Sequence, residues 1–122
     1  MSSFPLVAIV DDDEDVRQSL GTMFSTDNYR VCCYVSAESY LNADDDVRPD
    51  IIVTDLHMPG MSGLDLVRLL RKQGDDTPVV LITAYATPQT RAIASRHQVS
   101  AVVEKPFQPD DLLGLIARLA CG

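Results

Sequence analysis

Several apolar runs in this 122-residue sequence end at side chains that can bind a metal ion or a phosphoryl group. The side chains in these positions are Asp11 and Asp12, Asp55, Thr83 and Lys105. Carboxylate oxygens suit Mg²⁺, and an aspartate can also act as a nucleophile toward phosphorus. An ammonium group and a hydroxyl can hold phosphoryl oxygens and balance their charge. These residue types therefore predict a magnesium-dependent phosphoryl site, provided that the fold brings them together.

The apolar runs also predict how the chain positions these residues. Each run is short and rich in β-branched residues, which is typical of a buried parallel strand. Between the runs the apolar spacing becomes helical, so strands and helices alternate five times with short connections. The predicted strands are Leu6–Val10, Tyr29–Val35, Ile51–Val53, Pro78–Ile82 and Ala101–Val103.

This alternation predicts an α/β fold: a doubly wound (βα)5 parallel sheet, covered by helices on both faces, in one domain spanning residues 1–122. At this length the flavodoxin-like strand order 2-1-3-4-5 is the usual solution. Strands 1 and 3 are then neighbours, and ligands collect at the carboxyl ends of such strands. We therefore expect Asp11, Asp12 and Asp55 to converge, and three close carboxylates need a compensating cation.

The predicted helices differ in how strongly their sequences favour burial. The first begins at Glu14, with Asp12 or Asp13 as its N-terminal cap. The fourth, Pro88–His97, is carried mainly by Ala92, Ile93 and Ala94, so we expect it to be loosely anchored. The others are Ala37–Leu41, Gly63–Gln73 with Leu64, Val67 and Leu70 on one side, and a last helix opening at Pro109 with a buried stripe of Leu112, Leu113, Ile116 and Leu119.

Composition excludes several classes of protein. The net charge of −8 argues against nucleic-acid binding by this domain, because such binding depends on clustered basic charge. No signal peptide is visible, and no apolar run approaches the ~20 residues of a membrane helix.

Adjacent Cys32 and Cys33 are poorly arranged for a disulfide, so we expect a reducing, cytoplasmic location and cysteines used as small apolar residues. The acidic runs 13–15 and 44–46 are interpreted as a solvated helix turn and a solvated loop, and they lack the glycine and glutamate of a calcium loop.

The ordered set of motifs resembles the receiver domain of two-component response regulators over essentially the whole chain. The residues that carry this resemblance are Val10-Asp11-Asp12, Asp55 with Met58-Pro59 and Ser62-Gly63, Thr83-Ala84, and Lys105-Pro106-Phe107. Each motif alone is weak, but the set in this order and spacing is specific. Within the CheY-like superfamily, Glu104–Phe107 and Ser19-Leu20 are most similar to the FixJ-like branch.

The resemblance implies a role for each matching carboxylate. Asp55 resembles the phosphoacceptor, and Asp12 resembles the direct ligand of a Mg²⁺ ion, with Mn²⁺ as a possible substitute. Asp11 would act on the metal largely through bound water. His57 would coordinate through its backbone carbonyl, so its imidazole is not implied as a ligand.

The resemblance also implies how the phosphoryl group is held. Lys105 would contact phosphoryl oxygens, and the family usually has a cis bond between this lysine and the following proline, here Pro106. Thr83 would reorient toward the phosphoryl group. The backbone amides of Leu56 and Ala84 would assist.

One departure from the family pattern concerns the coupling of the site to the fourth helix. Many receivers carry an aromatic residue three positions before the lysine, and here that residue is Val102. A valine has one stiff χ1 and no ring to relocate. Tyr85 is the substitute we consider, and its alternative interpretation is an exposed loop tyrosine. We also predict that His57 and Tyr85 shield the acyl phosphate from water and slow its hydrolysis.

Two classes of function remain open at this point. The first is a signalling module, not otherwise an enzyme, phosphorylated by a sensor histidine kinase or phosphotransfer protein, with a possible phosphorylation-dependent homodimer through the fourth helix and fifth strand. The second is a Mg²⁺-dependent phosphotransferase or phosphatase of haloacid-dehalogenase type. That type expects an aspartate two residues after the nucleophile, where His57 stands, and a nucleophile on the first strand. The output, stand-alone regulator or domain of a transcription factor, is left open.

Overall fold

Five parallel strands form one sheet in the order β2-β1-β3-β4-β5 in the computed structural model, which describes residues 4–43 and 48–121. The strands are β1 (Leu6–Val10), β2 (Arg30–Tyr34), β3 (Ile51–Asp55), β4 (Val79–Thr83) and β5 (Ala101–Glu104). The register pairs Val10 with Thr54 across β1 and β3, and Thr83 with Glu104 across β4 and β5. The predicted fold class and strand order are therefore confirmed, and the carboxyl ends of β1 and β3 lie side by side.

Four helices connect the strands and a fifth follows β5, and their bounds agree with the sequence pattern to within about two residues. They are α1 (Glu14–Thr26), α2 (Ala37–Leu41), α3 (Gly63–Lys72), α4 (Pro88–Arg96) and α5 (Pro109–Cys121). Among the described residues, no helix is both long and apolar enough to span a membrane. The acidic loop predicted at 44–46 lies outside the described residues.

Each face of the sheet is covered by its own apolar cluster. On one face α1 and α5 cover the strands, through Leu20 and Phe24 of α1 and Leu112 and Ile116 of α5. On the other face α2, α3 and α4 pack against alternate strand residues. Both faces of β1, β3 and β4 are thus buried, which explains why these strands are apolar almost throughout.

The structure corrects three predictions about burial. Ala92 of α4 is exposed, and Ala94 is the residue of that helix that enters the core. On α3 Leu66 is fully buried, whereas Leu64 is only half-buried. Cys33 is exposed rather than used as an apolar residue, because β2 is an edge strand of the sheet and is less completely covered than the central strands.

Local capping explains where the helices next to the site begin. Asp13 is the N-terminal cap of α1, and its carboxylate accepts the N–H groups of Asp15 and Val16 at 2.8 and 3.3 Å. Ser62 caps α3 in a reciprocal capping box with Asp65. Gly63, the first residue of α3, lies so close to β3 that an added Cβ would be 2.6 Å from the Asp55 carbonyl oxygen. The strand carrying Asp55 and the helix after it are therefore in direct backbone contact.

Candidate functional site

Three carboxylates meet where β1 and β3 end. One oxygen from each of Asp11, Asp12 and Asp55 lies within 4.8 Å of the others. Asp11 is 3% exposed, Asp55 is half-buried and Asp12 is exposed, so the group opens to solvent on the Asp12 side. The strand order thus produces the convergence that the sequence predicts.

Burial and like charge make this arrangement costly for Asp11. Burial raises the pKa of the Asp11 carboxyl, and the nearby charges of Asp55 and Asp12 raise it further. The N–H of Asp13, 2.9 Å from Asp11 Oδ1, and the charge of Lys105 offset only part of this effect. A divalent cation would compensate the remaining repulsion, and three hard oxygen donors with access to water are a set that Mg²⁺ accepts. The residues present therefore fit the metal that the sequence predicts.

Lys105 and Thr83 approach the same point from the β4–β5 side. Lys105 Nζ lies 3.8 Å from Asp55 Oδ2, and the Lys105 N–H donates to the Thr83 carbonyl oxygen at 2.8 Å. The Lys105–Pro106 peptide bond is cis, as the sequence resemblance implies. Thr83 is fully buried. All five side chains selected from the sequence therefore lie at one edge of the sheet.

The hydroxyl of Thr83 is engaged by the loop that follows it. Its Oγ1 accepts the N–H of Tyr85 at 3.2 Å. Ala84 is exposed, and the side chain of Tyr85 is 75% exposed. This position matches the alternative interpretation of Tyr85 as an exposed loop residue, and its roles in switching and in phosphoryl lifetime stay predictions.

The backbone after Asp55 corrects the prediction for Leu56. The Leu56 N–H donates to the Ile82 carbonyl oxygen at 2.8 Å, because the β3–β4 ladder continues one residue past the strand, so this amide does not face the site. The amide of His57 does: it donates to Asp55 Oδ1 at 3.2 Å. The imidazole of His57 is on an exposed residue, as expected.

Val102 stands at the position where the sequence resemblance leads one to expect an aromatic residue. It is half-buried and packs against the cluster beneath α3 and α4. Its carbonyl oxygen accepts a long hydrogen bond, 3.5 Å, from the guanidinium of Arg91 on α4. The contact between α4 and β5 at this point therefore includes a polar bond that the sequence did not suggest.

Three further side chains near the site make hydrogen bonds that the sequence does not predict. Arg17 donates from Nη1 to the carbonyl oxygen of Asp11 at 2.8 Å. Glu38 accepts the N–H of Met61 at 3.1 Å, in the loop after Asp55. Glu104 accepts the N–H of Ala86 at 3.0 Å, in the loop after Thr83. The bonds of Glu38 and Glu104 join side chains to backbone groups 23 and 18 residues away along the chain, which sequence spacing does not encode.

Comparison with known sequences identifies one family of proteins that this chain resembles. Residues 7–117 match the family model described as the response regulator receiver domain. Transcriptional regulatory protein FixJ of Rhizobium meliloti is 37% identical over 112 residues, which are 92% of this chain and 55% of that protein. Regulatory protein AtoC of Escherichia coli is 33% identical over 118 residues, which are 97% of this chain and 26% of that protein. This chain thus spans about half of one relative and about a quarter of the other.

Solved structures agree with the sequence comparison. The crystal structure of FixJ-N superposes with a TM-score of 0.86 at 35% identity and covers 98% of this chain and 95% of that chain. Chemotaxis protein CheY4 of Vibrio cholerae superposes with a TM-score of 0.88 at 26% identity, covering 96% of this chain and 99% of that chain. The likeness extends over the whole sheet and its helices.

Proposed function

This chain belongs to the family of response regulator receiver domains of two-component systems, and we propose that it accepts a phosphoryl group on Asp55. The observation that supports this most directly is the position of Asp55, within 4.8 Å of two further carboxylates and 3.8 Å from Lys105 Nζ. A haloacid-dehalogenase enzyme, the alternative, is not supported by the family match. We propose that residues 1–122 form one receiver domain whose chemistry is limited to its own phosphorylation and dephosphorylation.

Phosphoryl transfer to Asp55 requires a donor that gives up phosphorus readily. A phosphohistidine on a sensor kinase or phosphotransfer protein has this chemistry. The bond between an Asp55 oxygen and phosphorus forms while the N–P bond of the donor breaks, and the electron pair of that bond returns to the imidazole. Lys105 and the amide of Ala84 would hold phosphoryl oxygens, and the Thr83 hydroxyl would turn toward them.

Asp11, Asp12, Asp55 and the His57 carbonyl would hold a Mg²⁺ ion, or Mn²⁺ in its place. When bound, the metal supplies positive charge that neutralises phosphoryl oxygens and the carboxylates around them. Because the pKa of Asp11 is raised, protons compete with the cation there, so cation affinity should fall as the pH is lowered. Mg²⁺ should raise the thermal midpoint of the protein; Asp12→Asn should remove this effect, and Asp15→Asn, on the exposed first turn of α1, should not.

The consequence of phosphorylation would be a changed equilibrium between conformations of the β4–α4 loop and α4. A partner that prefers one conformation then reads the phosphorylation state. A second copy of the chain, docking through α4 and β5, is one such partner. His57 and Tyr85 would set the lifetime of the acyl phosphate by limiting the approach of water.

Labelling with acetyl phosphate and Mg²⁺, followed by intact-mass analysis, tests the role of Asp55. We expect one phosphoryl group on the wild-type chain and none on Asp55→Asn. Asp110→Asn, an exposed carboxylate on α5, is the matched control and should label normally. Labelling of Asp55→Asn equal to the wild type, or multiple turnover with varied phosphate esters, would contradict the proposal.

A further inference from the structure

Glu104 is the last residue of β5 and immediately precedes Lys105. Its backbone is fixed by the sheet, since Thr83 and Glu104 are register partners and the next N–H bonds to the Thr83 carbonyl oxygen. Its carboxylate reaches the loop between β4 and α4, where Oε2 accepts the Ala86 N–H at 3.0 Å. A fixed strand end is thereby joined to the loop that carries the response.

Two successive amides of this loop bond to side chains of the strands that border it. The Tyr85 N–H bonds to the Thr83 hydroxyl, and the Ala86 N–H bonds to the Glu104 carboxylate. The side chains of Ala84 and Tyr85 are exposed and add little apolar packing. The conformation of the loop therefore depends mainly on these two bonds.

The two bonds are mechanically linked. For the Thr83 hydroxyl to turn toward a phosphoryl group on Asp55, it must leave the Tyr85 N–H. Such a turn would change the shape of the loop between Thr83 and the start of α4, and it would carry the Ala86 N–H away from Glu104. Each interaction that holds Ala86 in place opposes this movement by the free energy of its bond.

We propose that Glu104 is a positioning residue that holds the β4–α4 loop in the conformation in which Thr83 faces the loop, and so sets how readily the domain switches. This inference rests on the proposed roles of Asp55 and Thr83. In many receiver domains an aromatic side chain at the position of Val102 couples the phosphoryl site to α4. Because Val102 has no ring, the Glu104 hydrogen bond would supply some of that coupling here. Arg91, bonded to the Val102 carbonyl oxygen, adds a second polar contact between α4 and β5.

Amide hydrogen exchange measured by NMR on the ligand-free protein tests the bond itself. Glu104→Ala removes the acceptor, so exchange at Ala86 should accelerate by about fivefold. Glu104→Gln keeps an acceptor oxygen and should leave exchange within about twofold of the wild type. Glu38→Ala is the matched control: it removes a glutamate that accepts a loop amide on the other side of the site, and it should accelerate Met61 but not Ala86. Unchanged exchange at Ala86 in Glu104→Ala would overturn the proposal.

Titration with beryllofluoride in the presence of Mg²⁺ tests the consequence for switching, since this anion imitates a phosphoryl group on a carboxylate. Glu104→Ala should bind it about fivefold more tightly than the wild type, and Glu104→Gln should resemble the wild type. Equal tightening in both variants would show that the lost charge, not the hydrogen bond, is responsible, and would overturn the proposal. No tightening in either variant would overturn it as well.

Beryllofluoride binding by Asp55→Asn and Glu104→Ala distinguishes an error in the proposed role of Asp55 from an error in the proposed role of Glu104. Beryllofluoride binding that persists in Asp55→Asn would contradict the role of Asp55, and the role of Glu104 in switching would fall with it. Normal loss of binding in Asp55→Asn, combined with no effect of Glu104→Ala, would overturn the Glu104 role alone. Thermal midpoints by circular dichroism confirm that the exposed substitutions leave the fold intact.

Discussion

Helices α3 and α4 lie on the same face of the sheet but are attached to it in different ways. α3 has a capping box and buries four residues, Gly63, Leu66, Val67 and Leu70. α4 buries Ala94 as its only fully buried residue, and hydrogen bonds of Arg71 and Arg91 join it to α3 and β5. A helix held by a few hydrogen bonds can move without opening the core, whereas one held by apolar burial cannot. The helix with four buried residues follows Asp55, and the helix with one buried residue follows Thr83.

The largest effect should come from shortening an apolar side chain on α3. Leu66 is fully buried, so Leu66→Ala should lower the free energy of unfolding by about 3 kcal/mol. Ile93 of α4 is half-buried, and Ile93→Ala should cost only about 1 kcal/mol. Urea denaturation followed by circular dichroism measures both. Equal losses would mean that the two helices are anchored alike.

The next effect concerns Arg71, whose guanidinium joins the end of α3 to the end of α4. It donates to the carbonyl oxygens of Asp75, Thr77, His97 and Gln98, at 2.8 to 3.1 Å. Arg71→Ala leaves these acceptors without their donor and should lower the free energy of unfolding by about 2 kcal/mol. Arg68→Ala, three residues earlier and exposed, is the control and should cost less than about 0.5 kcal/mol. If the two variants have the same stability, Arg71 does not anchor α4.

Removing the N-terminal cap of α3 should lower the stability of the whole domain, whereas removing that of α4 should affect mainly α4 itself. Ser62→Ala breaks the capping box of α3 and should lower the global free energy of unfolding by about 1 kcal/mol. Thr87→Ala removes the side chain that accepts the Thr90 N–H at 3.1 Å in α4. Because α4 buries only Ala94, we expect it to open locally, so this change should accelerate hydrogen exchange in its first turn with little effect on global unfolding. A global loss as large as that of Ser62→Ala would argue against independent opening of α4.

The smallest effect is a pH dependence at Asp75, in the loop that follows α3. Burial tends to raise the pKa of this carboxyl, but hydrogen bonds from Thr77 and the charge of Arg48, 3.3 Å away, bring it below its ordinary value. A folded pKa below the unfolded one gives stability that is present above pH ~4 and is lost as the pH falls through the folded pKa. Wild-type protein should therefore lose more stability than Asp75→Asn as the pH is lowered through this window. Parallel pH profiles of the two proteins would contradict this assignment.

The sequence predicted most of the fold because its signals are local and redundant. Apolar β-branched runs defined β1, β3 and β4, and the strand ends placed Asp11, Asp12, Asp55, Thr83 and Lys105 at one edge. Because the strands are parallel, their carboxyl ends all lie at the same edge of the sheet, which brings these side chains together. The site side chains were therefore predictable from order and spacing alone.

What the sequence missed depends on contacts between residues that are distant along the chain. The Leu56 amide was assigned to the site, but the β3–β4 register commits it to Ile82. No local pattern marks Arg71, although its guanidinium donates to four carbonyl oxygens. Glu104 was visible only as part of a motif, and its bond to Ala86 follows from the path of a loop. Such hydrogen bonds can be identified only when the three-dimensional path of the backbone is known.

The close backbone approach at Gly63 predicts that substitutions at this position impair the site. A methyl group there would meet the Asp55 carbonyl oxygen at 2.6 Å and a Leu81 methyl at 3.0 Å, so Gly63→Ala should displace the end of β3 while leaving every reactive side chain intact. A screen for signalling-defective alleles would then recover position 63 alongside position 55. On the proposed role of Asp55, an allele at 55 should be null, whereas an allele at 63 retains the phosphoacceptor and should be only partly defective.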